Sequence, residues 1–360
     1  MSEPSTTAPQ PSRTLIRFEH SDGFLEVLER LRVCLLVSTY QAGKLLVFGV
    51  HQGKLVFSLH DFDQVMGIAV GPSRIAVGTR RQIWFLRNVS ELASGLEPPN
   101  RYDACYLTQA SAVTGEIQAH EMAWAGEELW FVNTVFSCLC TLGDPFSFIP
   151  RWKPRFITGL TGEDRCHLNG LAMENARPRY VTAHGSTDTP GGWRLEKATG
   201  GCLIDVPSGE VVARGFAMPH SPRIHQGKLW VLNSGQGRLS TVDPATGHET
   251  PVATLPGYPR GLCFVGPFAV VGLSKIRERS VFGGLPIEER RSELRCGLRI
   301  VDTRDGRIIA GLDFLSGVEE IFAVEALPGV RAAAVTGPIP GPDDLIWYVP
   351  PLVDASAPRR

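Results

Sequence analysis

Polar side chains that can bind a metal or an anion recur at one position of a repeated pattern in this sequence. Each repeat contains a four-residue landmark, such as Asn169-Gly-Leu-Ala, and its first residue is the one of interest. In chain order these first residues are Met66, His120, Asn169, His220, Arg260 and Glu319. They lie 54, 49, 51, 40 and 59 residues apart. A period of this size is typical of a propeller or a solenoid.

Several of these residues are suitable metal ligands. Two imidazoles, a carboxylate and an amide oxygen are a plausible ligand set for a divalent cation. His167 lies two residues before Asn169, so alternation along a strand can place both side chains on one face. Three histidines would suit Zn²⁺ or Fe²⁺, whereas Asn169 and Glu319 would suit Ca²⁺. The predicted metal ligands are His120, His167, Asn169, His220 and Glu319, and the identity of the metal stays open.

Charged residues at or beside the landmarks are the predicted catalytic groups. Arg260 is a fixed cation whose planar fork suits a carboxylate or phosphate. Glu319 can complete a metal shell or act as a base, and Glu121 adjoins His120. We therefore predict catalytic roles for Glu319, Arg260 and Glu121. The alternative is a purely structural ring, because polar groups in channels commonly pair with each other or with water.

Two long insertions are predicted to cover the same end of the molecule. They span residues 184–200 and 275–295, and each follows the second strand of a repeat. Long loops in a compact domain are commonly lids or binding loops. The predicted ligand-binding residues there and on the adjoining rim are Tyr40, Arg80, Trp193, Arg194, Lys275 and Arg277. The alternative is that the insertions make a subunit contact or are simply solvated.

The elements that position these residues are short strands. Each repeat has four β-branched or aromatic runs bounded by Gly, Pro, Asn or Asp, which is typical of one propeller blade. The first runs, 33–39, 44–48 and 54–59, lack an inner strand, which the run 318–324 can supply. We therefore predict an all-β, six-bladed β-propeller closed by strands from both termini, preceded by a short helix at residues 24–33. A seventh blade is the alternative if residues 330–335 start a further unit.

Composition narrows the function classes. The net charge is −1 and no stretch of about 18 apolar residues occurs, so neither nucleic acid nor a membrane is an expected partner. The expected partner is a small molecule or a peptide, and no oligomeric state is predicted. Residues 1–13 lack the apolar core of a secretory signal, so we expect a cytoplasmic protein with reduced cysteines. Disordered tails are predicted at residues 1–15 and 351–360, around one propeller domain at residues 16–350.

Longer segments resemble a known family. Ser38-Thr-Tyr-Gln-Ala-Gly-Lys44, His167-Leu-Asn-Gly170 and Pro219-His-Ser-Pro-Arg223 are similar to segments of a bacterial family of conserved proteins of unknown function. The runs 77–81 and 317–321 share this likeness, which extends over about residues 20 to 335. The resemblance implies no activity.

Two shorter segments resemble more distantly related families. Asn169-Gly-Leu-Ala resembles gluconolactonase and strictosidine-synthase-like six-bladed propellers, in which Glu, Asn and Asp bind a divalent cation. The resemblance implies such roles for Glu319 and Asn169, although His220 stands where Asp is expected. Pro219-His-Ser221 resembles the peptidyl-hydroxyglycine amidating lyases, six-bladed propellers with a three-histidine zinc site, which His120 and His220 fit better.

Two functions follow from these patterns. The first is a metal-dependent hydrolase or lyase that acts on a small anionic substrate at the mouth of the channel. The second is a non-catalytic propeller that binds a ligand or a protein. Fold alone does not choose between them.

Overall fold

Six antiparallel sheets form a closed ring in the computed structural model of the chain, which describes residues 15–276, 282–339 and 346–349. The innermost strand of each sheet contacts the innermost strands of the two neighbouring sheets. Each sheet contains four strands of one blade, so the predicted six-bladed β-propeller is confirmed. The tails predicted at residues 1–15 and 351–360 lie outside the described residues, apart from Leu15.

The blades are numbered along the chain, and their strands are given from the innermost outward. Blade 1 contains Ile68–Val70, Arg74–Gly78, Gln82–Asn88 and Ala104–Val113, and blade 2 contains Ala119–Ala125, Glu128–Asn133, Cys138–Gly143 and Phe146–Trp152. Blade 3 contains Leu168–Glu174, Arg177–Ala183, Gly201–Asp205 and Val211–Phe216, and blade 4 contains Pro219–His225, Lys228–Asn233, Arg238–Val242 and Glu249–Thr254. Blade 5 contains Tyr258–Val265, Phe268–Ser274, Gly297–Asp302 and Ile308–Ser316, and blade 6 contains Val324–Pro328, Val33–Thr39, Lys44–His51 and Lys54–Asp61.

Strands from both ends of the chain close the ring in blade 6. Val324–Pro328 pairs antiparallel with Val33–Thr39, so the predicted circular closure is confirmed. The prediction that the closing strand spans residues 318–324 was wrong, because residues 318–323 form the irregular entry to it. Phe322 is held there by its own N–H, which donates to the carbonyl of Ser38.

Two further strands extend blades at their outer edges. Arg17–His20 pairs with the outermost strand of blade 5, and Ala333–Thr336 pairs in parallel with the outermost strand of blade 1. The 330–335 run therefore covers an existing edge and does not begin a seventh blade. The 184–200 and 275–295 insertions follow the second strands of blades 3 and 5, as predicted.

The helices are few and short. The predicted N-terminal helix is Asp22–Leu31, and its buried face carries Phe24, Val27 and Leu28. The other helical segments of the described residues are Ser90–Ala93, Gly192–Leu195, Ser234–Gln236 and Pro286–Glu293. Among the described residues, no helix is long and apolar enough to cross a membrane.

The hydrophobic core lies between the blades. Val33–Thr39 is buried at every position, because its two faces pack against different blades. A strand that is covered on both faces has a continuous apolar sequence, in which apolar and polar residues do not alternate. All eight cysteines are buried and free. Burial raises the pKa of the Cys166 thiol to about 12, so this thiol stays protonated beside His167.

Candidate functional site

A cavity of about 260 Å³ lies at one mouth of the channel. Its wall contains eight of the residues predicted from sequence, namely Tyr40, His120, His167, Trp193, Arg194, His220, Arg260 and Lys275. The wall also contains Met66, Asp164, His184, Tyr258, Phe282, Glu320 and Phe322. Both insertions contribute to it. Arg277 lies outside the described residues.

A repeated hydrogen bond defines the register of the ring. In four blades, the hydroxyl of a Ser or Thr near the end of the second strand donates a hydrogen bond to the next blade. The acceptor is a backbone carbonyl in the innermost strand of that blade or in the segment that leads into it. These pairs are Ser38 with Met66, Thr134 with Leu168, Ser234 with Pro259, and Ser274 with Ile321. The residues that follow the accepting carbonyls are Gly67, Asn169, Arg260 and Phe322. By this register, Phe322 is the ring residue of blade 6, where Glu319 was predicted, and Gly67 is the ring residue of blade 1, where Met66 was predicted.

His120 has its proton on Nδ1. The Nδ1 atom lies 2.8 Å from Thr134 Oγ1 and 3.1 Å from the carbonyl oxygen of Gln118. Thr134 has one hydroxyl proton, and it donates that proton to the carbonyl of Leu168 at 2.6 Å. Thr134 therefore accepts from Nδ1–H, and the lone pair of the neutral ring is on Nε2.

His220 repeats this arrangement two blades away. Its Nδ1 lies 2.9 Å from Ser234 Oγ and 3.0 Å from the carbonyl oxygen of Met218. Ser234 donates its own proton to the carbonyl of Pro259 at 2.7 Å, so it accepts from His220. A ring held through Nδ1–H by oxygen acceptors is the usual support of a histidine that binds a metal through Nε2.

His167 is oriented by a carboxylate. Its Nδ1 lies 2.9 Å and 3.0 Å from the two oxygens of Asp164, and it must donate because a carboxylate only accepts. Trp193 Nε1, from the first insertion, donates to the same carboxylate at 3.0 Å. The insertion therefore fixes Asp164, and Asp164 fixes the imidazole.

His184 connects the other histidines. Its ring centroid lies 4.4 Å from that of His167 and 4.9 Å from that of His220, while His120 lies 4.9 Å from His167. His184 is 1% exposed, and neither of its ring nitrogens has a hydrogen-bond partner among the described residues. A buried polar group without a partner costs about 1–3 kcal/mol. We call His120, His167, His184 and His220 the imidazole cluster.

Burial keeps three of these rings neutral. It lowers the pKa values of His120, His184 and His220 well below the ordinary value of 6.5. The charge of His167 adds to this for His120 and His184, and Arg260 does so for His220. Neutral imidazoles retain the lone pair that a metal requires.

The donor set of the cluster fits a transition metal. Imidazole nitrogens are preferred by Zn²⁺, Fe²⁺, Cu²⁺ and Ni²⁺, and one of the two unpartnered nitrogens of His184 offers a further lone pair, since a neutral imidazole has only one. No group of three or more His, Cys, Asp or Glu side chains in the described part of the chain is arranged as a complete metal site. Side-chain movement would therefore accompany binding.

Arg260 is one of three cationic side chains in the described cavity wall, with Arg194 and Lys275. Its Nη1 donates to Glu320 Oε1 at 3.1 Å, and its Cζ lies 3.6 Å from the centroid of the Phe322 ring. Burial lowers the pKa of Arg260, with the Glu320 charge opposing that shift. Arginine remains charged at any physiological pH.

Four predicted residues do not line the cavity. Asn169 accepts from Thr182 Oγ1 at 2.6 Å and donates to the carbonyl of Pro219 at 3.0 Å, so its amide ties blade 3 to blade 4. Glu121 accepts from Arg223 at 2.5 Å in the channel. The other two are Glu319, whose carbonyl accepts from Lys275 N–H, and Arg80, which pairs with Glu116 at 2.9 Å.

Sequence reasoning missed His184, and a signal for it existed. The position after the second strand carries Thr134 in blade 2 and Ser234 in blade 4, and His184 takes that position in blade 3. Aligning the strand ends would have shown a histidine where other blades have a hydroxyl. No comparable signal marks Asp164, which lies in an irregular loop before blade 3.

Comparison with known proteins identifies the family. The family model described as "Domain of unknown function (DUF4915)" matches residues 22–336, which is most of the chain. The chain belongs to this family. The DUF4915 description carries no activity, and the predicted resemblance to a family of unknown function is thereby confirmed. No curated protein matches the chain.

Solved structures share the fold. A crystal structure of a nidogen/laminin complex contains a similar chain, with a TM-score of 0.52 and 10% identity over 82% of this chain and 99% of that one. A protein of unknown function from Bacteroides caccae gives a TM-score of 0.52 and 8% identity, with the same coverage. At sequence identities this low, structural similarity is evidence for a shared fold alone.

Proposed function

We propose that this protein is a metal-dependent hydrolase or lyase whose imidazole cluster holds a divalent transition metal at the mouth of the channel. The observation that carries the proposal is the shared support of His120 and His220. In both, a hydroxyl and a carbonyl hold Nδ1–H, and the lone pair is left on Nε2 of a neutral ring. Zn²⁺ and Fe²⁺ suit such ligands better than Ca²⁺ does.

The surrounding residues suit a small anionic substrate. Arg260 supplies a buried positive charge, and Trp193 and Phe322 provide apolar walls. Asp164 orients His167 and keeps its proton on Nδ1. A metal bound here would supply Lewis-acid chemistry, which polarises a carbonyl group or lowers the pKa of a water molecule.

Metal analysis tests the proposal. Chelator-stripped protein is dialysed against Zn²⁺ or, without oxygen, Fe²⁺, and bound metal is measured by mass spectrometry. We expect about one ion per chain. The His120→Ala/His220→Ala double variant should lose most of it with an unchanged circular dichroism spectrum. His248→Ala is the matched control, because His248 is exposed in an outer hairpin of blade 4.

Two results would contradict the proposal. One is wild-type protein that holds no metal above background, and the other is an equal loss in the His248→Ala control. The second candidate function, a non-catalytic ligand-binding propeller, is favoured by the lack of a complete metal site among the described residues. It predicts ligand binding at the cavity that does not change with added metal.

A further inference from the structure

Arg260 has a donor edge that no described residue occupies. Glu320 takes the Nη1 position, and the Phe322 ring covers one face of the guanidinium. The Nε atom is buried and has no hydrogen-bond partner among the described residues. In a guanidinium group, Nε and Nη2 point in the same direction and form one edge. That edge is the part of Arg260 without a described partner, and a ligand reaches Nε with a movement of the side chains that bury it.

A purely structural role does not account for this edge. Pairing with Glu320 requires one nitrogen, and an unpaired buried donor costs about 1–3 kcal/mol, more for a charged group. A side chain that served only to neutralise Glu320 would be expected to point its remaining donors at protein carbonyls. Two parallel N–H groups instead match the two oxygens of a carboxylate.

The cavity wall that contains Arg260 also contains two pairs of packed aromatic rings. Tyr40 stacks on Phe322 with a centroid separation of 5.9 Å and an interplanar angle of 29°. Tyr258 and Phe282 meet edge to face at 5.0 Å on the same cavity wall. Flat faces of this kind favour flat apolar ligands. The volume of about 260 Å³ is slightly below the roughly 300 Å³ at which ordinary ligand pockets begin.

We propose that the substrate class of this cavity is a small monocarboxylate with a flat apolar body, whose carboxylate binds the Nε–Nη2 edge of Arg260. This proposal rests on the proposed function only in that both place their ligand in the same cavity. The ion pair forms without a metal, so the two ideas fail separately.

The test measures binding to metal-free protein by titration calorimetry. The probes are 3-phenylpropionate, its neutral amide 3-phenylpropionamide, phenylphosphonate and acetate. We expect the acid to bind about tenfold or more tightly than the amide, because the amide cannot pair bidentately with a cation. Acetate should bind more weakly than 3-phenylpropionate because it lacks the apolar body. Phenylphosphonate should bind more weakly because its larger, more highly charged head costs more to desolvate in a small cavity.

Variants locate the interaction. Arg260→Gln and Arg260→Lys should each weaken binding of 3-phenylpropionate about tenfold or more, since lysine lacks the planar fork. Arg80→Gln is the control and should bind within about twofold of wild type, because Arg80 pairs with Glu116 outside the cavity wall. The acid–amide comparison uses wild-type protein, so it decides the question even if an Arg260 variant fails to fold.

Several outcomes would overturn the inference. These are equal binding of acid and amide, tighter binding of phenylphosphonate than of the carboxylate, or normal binding by a folded Arg260→Gln variant. Loss of bound metal in the His120→Ala/His220→Ala variant, with carboxylate binding retained, would support both proposals. Carboxylate binding in a protein that never holds metal would support this inference and contradict the metal-dependent function.

Discussion

Two hydroxyl groups decide which nitrogen is available on two histidines of the cavity. Thr134 and Ser234 each donate their single proton to a carbonyl of the following blade, so each can only accept from the neighbouring imidazole. The same hydroxyl thus joins two blades and sets a tautomer. The hydroxyl oxygen takes part both in the contact between blades and in the support of the histidine, so one substitution at this residue tests both.

Removing one of these hydroxyls should weaken metal binding without removing a ligand. Thr134→Val leaves the His120 ring with one acceptor, the carbonyl of Gln118, so the ring is held less firmly. We expect metal affinity to fall about 10- to 100-fold, the usual effect of losing such support. The measurement is competition for Zn²⁺ against a chelating dye.

The control is Thr79→Val. Thr79 occupies the matching strand end of blade 1, where its hydroxyl donates to the carbonyl of Gln82 at 2.9 Å and contacts no histidine. The affinity of the Thr79→Val variant for Zn²⁺ should stay within about twofold of that of wild type. Equal losses in the two variants would mean that the hydroxyl acts through general stability, and the tautomer argument would then fail.

At the scale of elements, the inner strands carry the ring and the insertions complete the cavity. Trp193 lies in the first insertion and is 3% exposed, and its indole N–H reaches Asp164. Phe282, in the second insertion, packs on Tyr258 of blade 5. As far as the structure describes them, both insertions therefore form part of the cavity wall.

The closing strand should be required for folding. A chain that ends at residue 323 lacks Val324–Pro328, so the N–H and C=O groups on the inner edge of Val33–Thr39 lose their partners, while the outer edge keeps its pairing with Lys44–His51. An exposed apolar strand edge favours aggregation. We expect the truncated protein to be insoluble or to elute as aggregates on size exclusion. A chain ending at residue 339 keeps both C-terminal strands and should fold. A monodisperse, cooperatively melting 1–323 chain would contradict this prediction.

At the scale of the whole molecule, one ion cluster links three blades across the channel. Arg223 of blade 4 donates to Glu121 of blade 2 at 2.5 Å and to Glu325 of blade 6 at 3.1 Å. Two carboxylates thus share one guanidinium. Burial raises the pKa of Glu325 to about 7, with the charge of Glu121 adding to the shift and Arg223 opposing it.

This cluster should make stability depend on pH. The folded-state pKa of Glu325 lies above its unfolded value, so its contribution is complete below about pH 4.5 and is lost as pH rises through about 7. The shift from 4.5 to about 7 is about 2.5 pKa units, so at about 1.4 kcal/mol per unit the loss amounts to about 3.5 kcal/mol. The free energies of urea unfolding of wild type and of Glu325→Gln are compared at each pH between 4.5 and 8, because the lowered pKa values of His120, His184 and His220 make stability rise with pH in the same range.

Glu325→Gln should remove this component, so its free energy of unfolding relative to wild type should rise between pH 4.5 and 8, because the variant keeps a net-neutral Arg223–Glu121 ion pair throughout that range. Glu127→Gln is the control, since the Glu127 side chain is 94% exposed and should leave the pH profile unchanged. If wild type and Glu325→Gln lose the same free energy of unfolding between pH 4.5 and 8, the cluster has no such role.

The sequence alone determined the blade count, the strand pattern, the closure and the mouth at which polar residues gather. Strand and turn signals are local, and a repeat shows them several times, so an error in one blade is corrected by the others. His120, His220 and Arg260 followed from this register and line one cavity.

Only the tertiary structure decided the register of blade 6 and the membership of the cavity. The entry to the closing strand is irregular, so local pattern favoured Glu319 where packing places Phe322. Asp164 joins the cavity through Trp193 of the 184–200 insertion, and His184 joins it beside His220 of the next blade. Which side chains point into a cavity depends on how neighbouring blades pack, and that is a property of the closed ring rather than of any one strand.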